Sequence, residues 1–178
     1  MHHTIQINRA PVLTLWGAIV AERLGIERQE ALTLGKALAG LNAQSKARRL
    51  HLYGMPETAA KKKVTKRRAE TPPVQRLMGR EIPVALRGNE VRATTKGQPE
   101  DPASVERYLA SKFGAAFSDA RDTMEALARA YPPSEIEDVA YALYEDFRPA
   151  IPEGKKGWGA KGTLDLDYLR RLAAKRGP

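Results

Sequence analysis

The residues best suited to chemistry in this sequence are basic side chains concentrated between positions 46 and 68. The stretch contains nine basic residues and one acid, Glu57, so it carries eight of the nine net positive charges of the chain. The nine are Lys46, Arg48, Arg49, Lys61, Lys62, Lys63, Lys66, Arg67 and Arg68. Cations that neutralise successive phosphates release condensed counterions, which gives salt-dependent affinity without sequence preference. The stretch therefore predicts contacts to the phosphate backbone of a nucleic acid.

Other interpretations of the basic stretch compete with phosphate binding. It could be a solvated connector, an intramolecular partner of residues 100–147, which hold eleven acids and four bases, or a nuclear-import signal in a eukaryotic cell. Nine bases against one acid exceed what solubility needs, so we place phosphate binding first. Two aromatic side chains add stacking surfaces. Tyr53 lies between the two basic clusters, and Trp158 could stack on a base or fold back onto the C-terminal helices.

A second pattern lies upstream, over residues 17–36. Ala21 is small enough for a close helix contact, Leu24 and Gly25 stand at a turn, and Ile26, Ala31 and Leu34 follow at apolar positions. Such residues let two helices cross tightly around a short turn. The segment resembles the helix-turn-helix motif of bacterial DNA-binding proteins.

The resemblance implies that the second helix enters the major groove of DNA. Its exposed face would then carry Glu27, Arg28, Gln29, Thr33 and Lys36. Arg28 and Gln29 would read guanine and adenine edges, while Lys36 would contact a phosphate. The alternative is an ordinary helical hairpin inside a core, because turns on glycine are common between packed helices.

Candidate catalytic groups are sparse. The absence of cysteine excludes Cys-type zinc sites and thiolate nucleophiles. Three histidines, two of them at positions 2 and 3, are too few and too badly placed for a His-based triad. Residues 157–162 match a dinucleotide-binding glycine pattern, but only 16 residues follow them, which is too few for that fold. We therefore expect no catalytic residues, no metal and no cofactor.

Length and composition limit the fold and the cellular compartment. A chain of 178 residues can bury one good core or two small ones, and with 6% aromatic residues that core is mainly aliphatic. The absence of cysteine fits a reducing cytosol, and neither a signal peptide nor a membrane-spanning run is apparent. We expect a cytoplasmic protein, nucleoid-associated in a bacterium, with no membrane contact.

Helices at both ends of the chain would position the basic stretch. Apolar residues at three- and four-residue steps from Val12 to Leu24 predict one helix, with Pro11 near its start and Gly25 at its stop. A second helix runs from about Arg28 towards position 50. Together they predict an N-terminal helical hairpin over residues 1–53, followed by a basic connector over residues 54–73.

The remaining sequence predicts a short β-hairpin over residues 74–98 and a three- to four-helix bundle over residues 99–178. Pro83 should keep its strand at a sheet edge. The bundle has four start signals: Asp101, Ser118, a capping box over residues 134–137, and Asp165. The predicted fold class is mainly α.

These observations predict a non-enzymatic nucleic-acid-binding protein, with DNA as the expected nucleic acid. The alternative is a helical adaptor that binds an acidic protein partner or self-associates. An enzyme is the third interpretation, because no carboxylate or histidine cluster converges in the linear sequence.

Overall fold

The computed structural model describes residues 3–50, 73–87, 90–95, 98–150 and 161–176. For residues 42–50, 86, 87, 90, 95 and 176 it describes the backbone alone. Its elements are β1 (Thr4–Ile7), α1 (Arg9–Arg23), α2 (Arg28–Leu50), β2 (Val74–Leu77), β3 (Arg80–Arg87), β4 (Glu90–Thr95), β5 (Gln98–Pro99), α3 (Pro102–Phe113), a 3₁₀ turn (Gly114–Ala116), α4 (Phe117–Arg129), α5 (Pro133–Phe147), β6 (Gly162–Asp165) and α6 (Leu166–Arg176). The mainly α class is as predicted, but the strands are more numerous.

Helix α1 is the centre of the molecule. Every residue from Pro11 to Ala21 is buried, as expected for a helix that is apolar on all sides. It packs against α2, α3, α4 and α5, so side chains from both halves of the chain belong to one hydrophobic core. The C-terminal helices are therefore arranged around α1.

The turn between α1 and α2 follows the predicted glycine. Gly25 has a φ of 96°, a left-handed conformation that costs a residue without Cβ nothing. The backbone N–H of Ile26 donates to the carbonyl of Ala21, and that of Gly25 to the carbonyl of Glu22. These two bonds form a Schellman motif, which satisfies carbonyls at the end of α1.

Helices α1 and α2 cross where two glycines meet. A Cβ built on Gly17 would lie 3.1 Å from the Cα of Gly35. A Cβ on Gly35 would overlap the carbonyl oxygen of Thr14 and lie 2.9 Å from the backbone nitrogen of Ala18. The close approach buries most of the middle of α2 against α1.

A four-stranded antiparallel sheet in the order β2-β3-β4-β5 covers another side of α2. The predicted hairpin is its central pair, β3 and β4. A tight turn at Met78 and Gly79, with φ values of 51° and 80°, adds β2. The edge position expected for Pro83 is therefore wrong, because β3 is flanked on both sides. Proline is tolerated there since Pro83 forms the last pair of the β2 ladder, opposite Val74.

A second sheet joins the two ends of the chain. Strand β1 pairs with β6 in antiparallel register from Thr4 opposite Asp165 to Ile7 opposite Gly162. Ile7 and Leu164 are buried, so the pair closes one side of the core. The sequence analysis predicted neither strand.

Two of the four predicted helix starts are confirmed. Asp101 accepts a hydrogen bond from the backbone N–H of Ala103, and Asp165 accepts one from that of Tyr168. The other two are wrong. Ser118 lies inside α4, whose N-cap is Ala116, and the N-cap of α5 is Pro132, which lacks a side-chain acceptor. Within the described residues, no helix is both long and apolar enough to cross a membrane.

Candidate nucleic-acid interface

Helix α2 has two different halves. From Ala31 to Ala39 every side chain except that of Lys36 is buried against α1, β4 and α3. The same helix then continues without a break to Leu50, so it includes Lys46, Arg48 and Arg49. The backbone of the first basic cluster thus belongs to a helix whose N-terminal half is fixed in the core.

Two residues expected to read bases contact other parts of the chain. The guanidinium of Arg28 lies 3.4 Å from the carboxylate of Glu106 on α3. The amide oxygen of Gln29 accepts a hydrogen bond of 3.2 Å from the guanidinium of Arg92 on β4. A nucleic acid that used these groups would have to replace both intramolecular contacts.

Thr33 and Lys36 lie further along the same helix. Thr33 was expected on the exposed face, but it has no accessible surface. Its hydroxyl donates to the carbonyl of Glu30 at 2.7 Å and accepts from the backbone N–H of Ala93 at 3.0 Å. The ammonium of Lys36 lies 4.0 Å from the ring centre of Tyr108, a cation–π distance. The face expected to enter the groove therefore contacts β4 and α3.

Two carboxylates, Glu27 and Glu30, lie at the start of α2 close to the charge of Arg92. Glu27 caps the helix by accepting from the backbone N–H of Glu30 at 3.1 Å. Hydrogen bonds from the N–H groups of Gln29 and Glu30 lower the pKa of Glu27. Burial, with the nearby charge of Glu27, raises the pKa of Glu30. Glu27 is therefore ionised at neutral pH, and its carboxylate already occupies the N–H groups at the start of α2 that a phosphate would use.

Several predicted contact residues lie outside the described side chains. For Lys46, Arg48 and Arg49 the structure describes the backbone but not the side chains. Outside the described residues are Tyr53, Lys61, Lys62, Lys63, Lys66, Arg67, Arg68 and Trp158. Residues 51–72, which include all of these except Trp158, are bordered by Leu50 at the end of α2 and by Pro73 just before β2.

One charged cluster was missed by the sequence analysis. Arg92 is 6% exposed, and it lines a cavity of about 390 Å³ with Arg28, Gln29, Leu32, Glu100, Asp101, Pro102, Ala103 and Glu106. These residues come from α2, β4 and the start of α3, so their proximity depends on tertiary packing. The one signal in the linear sequence was Arg92, a charged residue within a β-prone run.

Among the described residues, no three His, Asp or Glu side chains are grouped so that they could hold a metal ion. Comparisons with family models, with curated proteins and with solved structures found no match to this chain. The charges and contacts of the molecule itself are therefore the only indications of its function.

Proposed function

We propose that this protein binds nucleic acid, with DNA as the first candidate, through the end of α2 and the basic residues that follow it, and that it performs no chemistry on it. The observation that carries the proposal is the concentration of charge. Residues 46–68 have a net charge of +8, whereas the other residues together have a net charge of +1. A polyanion would therefore be attracted to one part of the chain.

The chemistry of that part suits phosphate. Lysine and arginine neutralise phosphates one by one, and each contact releases counterions, so several contacts together give substantial affinity at low salt. Lys46, Arg48 and Arg49 belong to a helix that begins in the core, which supports a fixed starting point for such contacts. Six further bases follow between positions 61 and 68.

The N-terminal half of α2 is not a contact surface in this proposal. Arg28, Gln29 and Lys36 each have a partner within the chain, and Glu27 adds a negative charge near them. Phosphate contacts position a protein on a duplex, whereas base contacts provide specificity. We therefore propose binding that depends on the backbone of the nucleic acid and has little sequence preference.

Fluorescence anisotropy with labelled duplex DNA, single-stranded DNA and duplex RNA, at about 50 and 200 mM salt, tests the proposal. We expect micromolar binding at the lower salt and a steep loss at the higher. The triple variant Lys61→Ala, Lys62→Ala, Lys63→Ala should lower the salt slope by up to about 2.7, since each phosphate contact adds about 0.9.

A matched triple variant controls for net charge. Arg129→Ala, Arg171→Ala and Lys175→Ala remove three positive charges from exposed helical positions. If this variant weakens binding as much as the lysine variant, the proposed location is wrong. Absence of binding at low salt would exclude nucleic acid, and tighter binding of poly-L-glutamate than of DNA would favour the adaptor alternative.

A further inference from the structure

The cavity between α2, β4 and α3 has walls of opposite charge. Its positive groups, Arg28 and Arg92, come from α2 and β4. Its three carboxylates, Glu100, Asp101 and Glu106, all come from the stretch that ends β5 and begins α3. The volume of about 390 Å³ falls within the range of small-molecule sites. A ligand in this cavity would therefore meet both guanidinium and carboxylate groups.

One of the two positive groups, Arg92, is buried and held by hydrogen bonds. The guanidinium of Arg92 donates to the carbonyl of Val91 at 2.8 Å and to the amide oxygen of Gln29 at 3.2 Å. Leu32, which is 4% exposed, lies beside it and adds apolar surface. A buried guanidinium fixed by hydrogen bonds holds its positive charge in one place, which favours a carboxylate in the cavity.

One ion pair in the lining of the cavity is loose. Arg28 and Glu106 face each other at 3.4 Å, and their side chains are 46% and 50% exposed. Charge-assisted hydrogen bonds usually measure about 2.7–2.9 Å, so this pair is long. Exposed ion pairs also contribute little stability. A ligand with its own charges could therefore separate the two side chains at small cost.

We propose that this cavity binds a small zwitterion of the α-amino acid class. The ligand carboxylate would lie towards Arg28 and Arg92, and its ammonium towards the carboxylates at the start of α3. The apolar part of the ligand would contact Leu32 and Pro102. A simple anion would meet three carboxylates and a simple cation would meet two guanidinium groups, so a ligand with both charges matches the walls best. This proposal is independent of nucleic-acid binding by residues 46–68.

Thermal unfolding of the full chain, with each of the twenty common L-amino acids at about 10 mM, tests the proposal. A ligand present at ten times its Kd should raise the Tm by about 3–6 °C for a chain of this size. For each amino acid that binds, analogues that lack either the ammonium or the carboxylate are measured in parallel. We expect both analogues to bind at least tenfold more weakly.

Three variants localise the site. Arg28→Gln and Glu106→Gln each remove one charge from the lining, and Ala103→Leu places a larger side chain there, at an exposed helical position. Each should weaken binding at least tenfold. The controls Arg171→Gln and Glu145→Gln remove the same charges elsewhere and should leave the affinity unchanged.

Three results would overturn the proposal. They are the absence of any Tm change with all twenty amino acids, equal binding of an analogue with one charge, and unchanged affinity in the three cavity variants. None of them bears on the anisotropy experiment, which uses variants of the lysines at positions 61–63.

Discussion

The indole Nε1–H of Trp16 donates a hydrogen bond of 3.0 Å to the carbonyl oxygen of Ala140, 124 residues further along the chain. Trp16 has no accessible surface, and its ring meets that of Phe147 edge-on with centroids 5.2 Å apart. One side chain on α1 thus contacts α5 through both a polar and an aromatic interaction. It links the N-terminal hairpin to the C-terminal helices.

Trp16→Phe should destabilise the protein by about 2–4 kcal/mol. The variant loses the hydrogen bond to Ala140 and leaves a space beside Phe147 that the core can fill only partly. Urea unfolding followed by circular dichroism measures the change. A loss below about 0.5 kcal/mol, the range of ordinary surface substitutions, would contradict the central position of Trp16.

Two glycines of α2 should respond in opposite ways to alanine. Gly35→Ala should cost about 3 kcal/mol, because its Cβ would overlap the backbone of Thr14 and α1 would have to move. Gly40→Ala should stabilise by about 0.5–1 kcal/mol, since nothing lies within 4 Å of its Cβ and alanine favours the helix. Equal effects of the two substitutions in thermal unfolding would mean that α1 and α2 do not cross at Gly35.

The turn and the helix cap that depend on neighbouring residues were predicted correctly from the sequence. Gly25 lies in the turn that follows α1, and Asp101 caps α3. Both could be predicted because a turn and a cap involve only a few neighbouring residues. Strands β1 and β6 were missed because each has four residues and its partner lies far away in the sequence. A strand that short is stabilised by its pairing, which no local pattern contains.

The largest error in the predicted site was that the face of α2 that carries Thr33 was expected to be exposed, whereas it packs on β4 and α3. The helical period identified Leu34 and Leu38 as core residues, but it could not show that β4 and α3 cover the opposite face. Thr33 can be buried there because the backbone N–H of Ala93 supplies a partner for its hydroxyl. The charge of residues 46–68 needed no tertiary information and could be read from the sequence alone.

Thr33 tests the burial of that face. Thr33→Val keeps the shape but removes the acceptor of the Ala93 N–H, which leaves a buried donor unpaired and should cost about 1–3 kcal/mol. Thr33→Ser keeps the hydroxyl and should cost less. If the two variants unfold at the same urea concentration as the parent protein, Thr33 is exposed and the packing of α2 on β4 is wrong.

Tyr144 should make the protein sensitive to alkaline pH. Burial, opposed by Arg148 and Arg9, raises the pKa of Tyr144 to about 12. Unfolded tyrosine ionises near pH 10, so the contribution of Tyr144 to stability is complete below that pH and is lost between about pH 10 and 12. The loss amounts to about 3 kcal/mol, from about 1.4 kcal/mol per pKa unit.

The variant Tyr144→Phe has no proton to lose, so its Tm should fall less than that of the parent protein between about pH 10 and 12. Tyr108→Phe is the comparison, because Tyr108 is only partly buried. Parallel pH curves for the parent protein and Tyr144→Phe would contradict the prediction.

The variant Arg28→Ala distinguishes binding through phosphates from the reading of bases. Its guanidinium faces Glu106, and Gln29 beside it is held by Arg92, so Arg28→Ala should change duplex affinity less than twofold and leave sequence preference unaltered. The lysine triple variant at positions 61–63 should weaken all sequences alike. Competition anisotropy with a library of duplexes, at one salt concentration, measures both effects. If Arg28→Ala instead relaxes a preference that the parent protein shows, α2 reads bases and its contacts to α3 and β4 must open on binding.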